Sequence, residues 1–302
     1  MEAKLFVGEL ALLLNPYDEF NVVVEGRAVL RIDWQRAIVK VAGTTTDPLG
    51  LRDVLLEAGV ILPRNMDEVL GRLEDYSRSP TPEEPRLKAV ALDTNIFYNL
   101  FLTTLEEERS LPPRVYVSKC VLDEISSKAD SKAKPEEREA FVSWRRAAAA
   151  LSEYLRHRHG LRVIQRSKCH GDLDIVRSYV NYAGSQGVDF LFLTFDVRSR
   201  SYALIEALPM ITLSTPSPPR AGESFATTHR RIQRLLYTMA VHHASITLTG
   251  SAGRVALSLG EYDDILARRL TASTTSNRIA SELSLLGRYR KIRETLRLAR
   301  PG

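Results

Sequence analysis

Five short apolar runs in the middle of the chain alternate with segments of helical periodicity, and this alternation constrains the fold more than any other feature. The runs occupy residues 88–92, 115–117, 161–164, 190–193 and 210–213. Strands that alternate with helices are typical of βαβ units, which place parallel strands side by side. Nearly continuous apolar runs are typical of strands covered on both faces. The pattern therefore predicts an α/β fold, with a doubly wound parallel sheet of about five strands and helices on both faces.

Two proline-rich segments delimit this sheet, at residues 77–85 (SRSPTPEEP) and 214–220 (STPSPPR). Clustered proline continues neither a helix nor a central strand, so both segments are predicted to be linkers. We therefore predict three domains: a small α+β N-terminal domain (1–80), the α/β domain (86–214) and a basic α+β C-terminal domain (221–302).

The flanking segments carry β-branched runs and amphipathic stretches. In the N-terminal segment they predict a small antiparallel sheet and two helices, the first opening at Asp47 or Pro48 and the second capped by Asn65. In the C-terminal segment they predict a helix, a hairpin that turns through residues 250–253, and a last helix at about 275–299.

The composition, with 44% hydrophobic and 26% charged residues, is that of a globular protein. No apolar run approaches the roughly 20 residues that cross a bilayer, and the N-terminus does not resemble a secretory signal. We therefore expect a cytoplasmic protein without membrane contact.

The two cysteines, Cys120 and Cys169, are too few for a disulfide framework, and we expect two reduced thiols. The 33 Arg against 9 Lys are a bias seen in some thermophile families and also produced by GC-rich coding.

The net charge of +5 is unevenly distributed along the chain. Residues 1–80 hold 9 basic and 13 acidic groups, whereas residues 220–302 hold 14 basic and 6 acidic groups. A one-sided positive region predicts an anionic partner, most commonly nucleic acid, although a solvated surface explains the same charges equally well. In the last helix, the residues expected to contact RNA are Arg288, Arg290, Lys291, Arg293 and Arg297. The sequence leaves open whether a second copy of the chain or another protein binds through the flanking domains.

Acidic residues occur where the predicted strands end. Asp93 ends the first strand, Asp196 ends the fourth, Glu124 lies one turn into the helix after the second, and Asp172 and Asp174 begin the helix that leads into the fourth. Ligands of parallel α/β sheets gather at the carboxyl ends of the strands. Singly, each acid is better explained as a helix cap or a solvated residue, but their ordered occurrence favours a shared site. Close carboxylates repel one another unless a cation neutralises them, and Mg²⁺ or Mn²⁺ prefers such oxygen ligands.

The order of these motifs resembles that of the PIN-domain nucleases. The most specific pieces are Leu92-Asp93-Thr94-Asn95 and Leu193-Thr194-Phe195-Asp196, with Glu124 between them, and the resemblance covers roughly residues 87–213. It implies a metal-dependent ribonuclease on a parallel sheet. It further implies that Asp93, Glu124 and Asp196 are metal-site residues and that Asn95 and Thr194 are supporting polar groups.

The third acidic motif of the family maps onto either Asp172 or Asp174. We prefer Asp172 as the ligand, because it precedes an apolar helix face at helical spacing. The Asp-Leu-Asp motif is also similar to that of the archaeal protein-only ribonuclease P family, but the flanking domains do not match that family.

The expected activity is that of a metal-dependent endoribonuclease that hydrolyses RNA phosphodiester bonds in RNA processing or maturation. The alternative is a non-catalytic RNA-binding or assembly protein that keeps a PIN-like fold. A toxin-like nuclease is disfavoured by the flanking segments. A zinc site among His157, His159, Cys169 and His170 is disfavoured because no Cys-x-x-Cys pair is present. A phosphatase with an aspartyl nucleophile would need an acid where Asn95 stands.

Overall fold

A computed structural model describes residues 1–43, 47–77, 86–166 and 169–298, with side chains of the last helix described as far as residue 291. The chain forms two compact units. One comprises Met1–Val54 together with Pro218–Gly302, and the other comprises Leu55–Ser217. We call them the eight-stranded unit and the five-stranded unit after the sheets they contain.

The strands of both units are short. In chain order they are β1 (Glu2–Phe6), β2 (Glu19–Val24), β3 (Arg27–Asp33), β4 (Ile38–Val41), β5 (Leu87–Leu92), β6 (Val115–Ser118), β7 (Leu161–Ile164), β8 (Val188–Thr194), β9 (Met210–Thr212), β10 (Ser224–Ala226), β11 (Ser245–Gly250), β12 (Gly253–Ser258) and β13 (Arg269–Thr274).

The helices range from single turns to 22 residues. They are α1 (Leu10–Leu14), α2 (Pro48–Glu57), α3 (Met66–Ser77), α4 (Thr94–Tyr98), α5 (Phe101–Glu107), α6 (Lys119–Asp130), α7 (Arg138–His157), α8 (Asp172–Gln186), α9 (Val197–Ile205), α10 (His229–His243), α11 (Tyr262–Leu266) and α12 (Asn277–Leu298). Within the described ranges, none of them combines the length and the apolar character needed to cross a membrane.

The five-stranded sheet is parallel throughout and has the strand order β7-β6-β5-β8-β9. This confirms the α/β fold with five parallel strands that the apolar runs predicted. The apolar runs of the two central strands, β5 and β8, are buried: Val90, Leu92 and Phe192 are at most 1% exposed. The strand order reverses between β5 and β8, which is the point at which open α/β sheets bind their ligands.

The two predicted linkers flank this sheet. Most of the first, residues 78–85, lies outside the described residues, and the second, residues 214–220, contains neither helix nor strand. Asn65 directly precedes α3, as expected, but its side chain contacts another segment. Its amide donates to the Thr212 carbonyl oxygen at 3.0 Å, and its Oδ1 accepts from the Ser214 backbone N–H at 2.8 Å. Asn65 therefore joins the start of α3 to the end of β9.

Polar residues at the carboxyl ends of the strands begin the helices that follow. Asp93 caps α4 after β5, Ser118 caps α6 after β6, and Asp196 caps α9 after β8. In each case a side-chain oxygen accepts a hydrogen bond from a backbone N–H at the helix start. The strand-to-helix turns therefore place several polar side chains at the same edge of the sheet.

The eight-stranded sheet is antiparallel and has the order β1-β13-β12-β11-β2-β3-β4-β10. The sequence predicted separate flanking domains, whereas strands from both flanking segments lie in this one sheet: β1 pairs with β13, β11 with β2, and β10 with β4. Alternating apolar residues identify a strand and its buried face, but they do not identify the strand with which it pairs. The predicted hairpin is present, and Gly253 has a φ of +119° at its turn.

The two cysteines are bonded to each other, so the expectation of two reduced thiols is wrong. Cys120 in the first turn of α6 and Cys169 before α8 lie 5.3 Å apart between their Cα atoms, although 49 residues separate them in sequence. Cysteine number and spacing carried no information about this proximity, which arises because β6 and β7 are neighbours in the sheet.

Candidate functional site

Asp93 lies at the carboxyl end of β5 and is 2% exposed. Its Oδ1 accepts a hydrogen bond from the Thr94 backbone N–H at 2.8 Å. Its Oδ2 accepts two more, from Thr194 Oγ1 at 2.5 Å and from Asn95 Nδ2 at 2.8 Å. These donors fix the orientation of the carboxylate.

Burial of Asp93 disfavours its charged form and raises its pKa to about 6. Hydrogen bonds from Thr194, Ser199 and Thr94 work in the opposite direction, because they favour the carboxylate. The negative charge of Asp172 raises the pKa further. Asp93 is therefore a buried acid whose charged form is poorly compensated at neutral pH, although several donors surround it.

Glu124 lies in the second turn of α6 and is held by two partners. Thr94 Oγ1 donates to its Oε2 at 2.8 Å, and Lys128 Nζ donates to its Oε1 at 2.8 Å. Thr94 contacts Asp93 through its backbone and Glu124 through its side chain. A single residue thus joins the carboxylates of two separate chain segments.

Asp196 and Asp172 approach the same place from β8 and from the start of α8. Asp196 Oδ1 accepts from the Arg198 backbone N–H at 2.8 Å. Partial burial raises the pKa of Asp172, and the negative charges of Asp196 and Glu124 raise it further, while Arg198 and Lys128 lower it. The raised pKa values of Asp93 and Asp172 therefore reflect burial first, and then repulsion of Asp93 by Asp172 and of Asp172 by Asp196 and Glu124.

Asp174, the other candidate for the third motif, has different partners. Its Oδ1 accepts from Arg166 Nη2 at 2.7 Å, and its Oδ2 accepts from the His170 backbone N–H at 2.7 Å. Arg166 also donates to the Asp174 carbonyl oxygen at 2.7 Å. These contacts fix the segment before α8 and engage both oxygens of the carboxylate.

Asn95 and Thr194 brace the ends of β5 and β8. Asn95 Oδ1 accepts from the Phe195 backbone N–H at 2.8 Å, and its amide donates to Thr194 Oγ1 at 3.2 Å. Thr194 Oγ1 also accepts from the Asp196 backbone N–H at 2.9 Å while it donates to Asp93. Both residues, expected as supporting groups, contact Asp93 directly.

A cleft of about 350 Å³ opens beside Glu124 and Asp172. The bonded cysteines line it, and they tie α6, which carries Glu124, to the segment that leads into Asp172. Sequence reasoning missed this connection. The position of each cysteine relative to the acids could have indicated this connection. Cys120 precedes Glu124 by one helical turn, and Cys169 precedes Asp172 by three residues.

The oxygen donors of this edge fit a hard divalent cation in chemical type. In this conformation, however, no group of three or more His, Cys, Asp or Glu side chains in the described part of the chain is close enough to hold a metal ion. Of the residues considered for zinc, Cys169 is disulfide-bonded and His157 lies against Glu153 and Thr103, with 3.6 Å from His157 Nε2 to Glu153 Oε1.

The basic residues of α12 are only partly described. Arg290 donates through Nε to Glu9 Oε1 at 2.9 Å, and its Nη2 contacts Glu9 Oε2. Arg290, which the sequence predicts to contact RNA, therefore has an acidic partner, because the turn after β1 places Glu9 beside the C-terminal helix. Arg288 and Lys291 are exposed. The side chains of Arg293 and Arg297 lie outside the described residues.

The carboxyl edge of the five-stranded sheet is thus the part of the chain with the clearest chemical organisation. It brings together Asp93, Glu124, Asp172 and Asp196 from four segments, and we call these four residues the acidic edge. Asn95 and Thr194 donate hydrogen bonds to the Asp93 carboxylate. No protein-family model matches the chain, and no curated protein matches it significantly.

Proposed function

We propose that the five-stranded unit is a PIN-like, metal-dependent endoribonuclease that hydrolyses RNA phosphodiester bonds. The observation that supports it is the convergence of Asp93, Glu124, Asp172 and Asp196 at the reversal point of the strand order. Helix capping explains the positions of Asp93 and Asp196. It does not explain the approach of Glu124 and Asp172 to them, which raises the free energy of the folded protein by repulsion. A site that binds cations and phosphate accounts for that arrangement.

The four carboxylates would hold Mg²⁺ or Mn²⁺ after moving closer together than they are in this conformation. Asp174 is the weaker candidate because its oxygens are engaged with Arg166 and His170. A bound ion of this kind polarises a phosphate and lowers the pKa of a bound water. Asn95 and Thr194 keep the Asp93 carboxylate oriented. Lys128 and Arg198, whose positive charges lie near Asp172, would attract the phosphates of the RNA backbone.

The rest of the chain would serve substrate binding. The excess of basic groups in residues 220–302 fits an RNA backbone, so we assign binding to the eight-stranded unit and cleavage to the five-stranded unit. We propose a role in RNA processing or maturation for this combination of activities.

The test is cleavage of single-stranded and structured RNA by the purified chain, with Mg²⁺ or Mn²⁺ and then with excess chelator. We expect metal-dependent cleavage by the wild type. Asp93→Asn should lower kcat by about 100-fold or more, as removal of one electrostatic contributor to a transition state does. Wild-type activity of this variant would remove Asp93 from the site.

A second measurement separates the enzyme from a non-catalytic RNA-binding protein of the same fold. A carboxylate cluster gains stability as the concentration of a bound ion rises, by RT ln(1 + [M]/Kd). We expect the melting temperature of the wild type to rise with Mn²⁺ and that of Asp93→Asn to rise less. RNA binding without cleavage and without this stabilisation would favour the non-catalytic protein.

A further inference from the structure

A second cavity lies beside the acidic edge, between the end of α4 and the start of α7. It has a volume of about 430 Å³ and is lined by Tyr98, Arg138, Glu139, Val142, Ser143 and Arg146. This volume lies within the range of small-ligand sites, roughly 300–1,000 Å³. Tyr98 ends the short helix that Asp93 caps, so the cavity and the acidic edge share α4.

The cavity is connected to the acidic edge through Lys128. Its Nζ donates to Glu124 Oε1 at 2.8 Å and lies 5.5 Å from the centroid of the Tyr98 ring. Burial raises the pKa of Tyr98, the charge of Glu124 raises it further, and Arg146 lowers it. The Tyr98 side chain therefore lies within electrostatic reach of both the acidic edge and the basic wall of the cavity.

The Tyr98 hydroxyl is buried and has no hydrogen-bond partner among the described residues. A buried hydroxyl without a partner is disfavoured, so such groups in a cavity are candidates for contact with a ligand. The other lining groups are the exposed hydroxyl of Ser143, the carboxylate of Glu139, the apolar side chain of Val142 and two guanidinium groups.

We propose that this cavity binds one nucleotide of the RNA strand, next to the phosphate that is cleaved. The proposal rests on the ribonuclease function proposed above and names a subsite for it. Tyr98 and Ser143 hydrogen-bond the edge of the base, and Val142 packs against its face. Glu139 accepts from the ribose hydroxyls, whose 2′-OH distinguishes RNA from DNA.

The two guanidinium groups of the cavity supply its positive charge. Arg146 Nη2 pairs with Glu57 Oε1 at 2.7 Å, which holds this side chain in place at the wall. Arg138 lies at the start of α7, at the same wall. Guanidinium groups form strong charge-assisted hydrogen bonds with phosphates, so this wall attracts the phosphate of the bound nucleotide.

The experiment measures binding of the four ribonucleoside 5′-monophosphates to the full chain by calorimetry, with chelator present. We expect saturable binding of at least one of them. Tyr98→Phe keeps the ring beside Lys128 and removes only the hydroxyl, so its affinity should fall about five-fold, as expected when one hydrogen bond is removed. Val142→Trp fills the cavity and should weaken binding by more than about ten-fold.

A matched control is present in the same unit, at the amino ends of β5 and β8. There, a cavity of about 410 Å³ is lined by Tyr76 and Val180, and Lys88 Nζ lies 5.8 Å from the Tyr76 ring centroid. Tyr76→Phe and Val180→Trp should bind nucleotides as the wild type does. Circular dichroism of all four variants shows whether each is folded.

Binding of no nucleotide by the wild type would overturn the proposal, and so would unchanged affinities in both Tyr98→Phe and Val142→Trp. RNA cleavage is measured separately with Mg²⁺. If the wild type cleaves RNA but either of those two binding results is obtained, the ribonuclease activity is supported and the nucleotide subsite is rejected. If Val142→Trp abolishes nucleotide binding but the wild type does not cleave RNA, the nucleotide-binding cavity is supported and the ribonuclease activity is rejected.

Discussion

Asp93 is a buried acid, and its titration has a consequence for the stability of the folded chain. Its ordinary pKa of 3.8 rises to about 6 in the folded protein, chiefly through burial. Between about pH 4 and pH 6 the unfolded chain releases this proton while the folded chain keeps it. The free energy of unfolding therefore falls as the pH rises through this window, by about 3 kcal/mol for a shift of about two pH units.

Asp93→Asn removes this titration, so the first prediction compares the two proteins. Without divalent cations, the stability of the variant relative to the wild type should increase by about 3 kcal/mol between about pH 4 and pH 7. Urea denaturation at both pH values measures the difference, and the comparison cancels the titration of the other groups. A difference that does not change with pH would mean that the Asp93 carboxyl ionises as it does in water.

The two acids at the start of α8 are predicted to respond differently to the same substitution. Asp172→Asn should lower RNA cleavage as Asp93→Asn does, because the carboxylate of Asp172 interacts with the acidic edge. Asp174→Asn should retain most activity but lower the free energy of unfolding by about 1 kcal/mol, since it breaks the ion pair with Arg166. Initial rates and urea denaturation of both variants check this, and the opposite ranking of activities would make Asp174 the ligand.

At the scale of elements, α6 and α8 are joined by the Cys120–Cys169 disulfide beside the acids that they carry. A closed loop of 49 residues contributes about 4 kcal/mol in the chain-entropy account. We predict that dithiothreitol lowers the melting temperature of the wild type and weakens its affinity for Mn²⁺. The variant with Cys120→Ser and Cys169→Ser is the control, because reductant should not change it. Equal Mn²⁺ affinity of the oxidised and reduced protein would show that the bond stabilises the fold without organising the acidic edge.

The disulfide also bears on where such a chain functions. Disulfides persist in oxidising compartments and in the cytoplasm of hyperthermophiles, and they are rare in other cytoplasmic proteins. The expected cytoplasmic location and the bond agree most directly in the hyperthermophile case. The excess of Arg over Lys is compatible with that case.

Most strands and helices could be predicted from the sequence, whereas the pairing of strands that are distant in sequence could not. The five parallel strands were predictable because each contains a short apolar run between helical segments, and the run at residues 190–193 is buried throughout. The strands β1, β10 and β13 were not predicted, and β1 pairs with a strand near the other end of the chain, as in Phe6 with Arg269. Asp93 and Asp196 were identifiable because they end strong apolar runs, whereas Tyr98 carries no signal except its place one turn after Asn95.

At the scale of the whole molecule, the basic residues of α12 are predicted to contribute to RNA binding and not to chemistry. Neutralising Arg288, Lys291, Arg293 and Arg297 should weaken RNA affinity and reduce its salt dependence, by about 0.7 in slope for each phosphate of single-stranded RNA that is no longer neutralised. Turnover at saturating RNA should approach that of the wild type, since uniform binding affects KM more than kcat. Filter binding at several salt concentrations measures the affinity and its slope.

Arg290 is left intact in that variant because it contacts Glu9. Substituting Arg290 alone should lower stability more than RNA affinity, which makes Arg290→Gln the matched control. If affinity and salt slope are both unchanged in the four-residue variant, α12 is a solvated or protein-facing surface.

The eight-stranded sheet has a consequence for how the chain folds as it is synthesised. β2 is made early, but its partner β11 follows only after the whole of Leu55–Ser217, as the pairing of Val23 with Thr247 shows. At roughly 5–20 residues per second, the ribosome needs about ten seconds or more to supply it. During that time one edge of β2 offers unpaired backbone groups to any neighbouring chain. The five-stranded unit has left the ribosome before β11 does. Nascent chains stalled just before β11 emerges from the ribosome should therefore contain a protease-resistant core within Leu55–Ser217 and a protease-sensitive N-terminal segment.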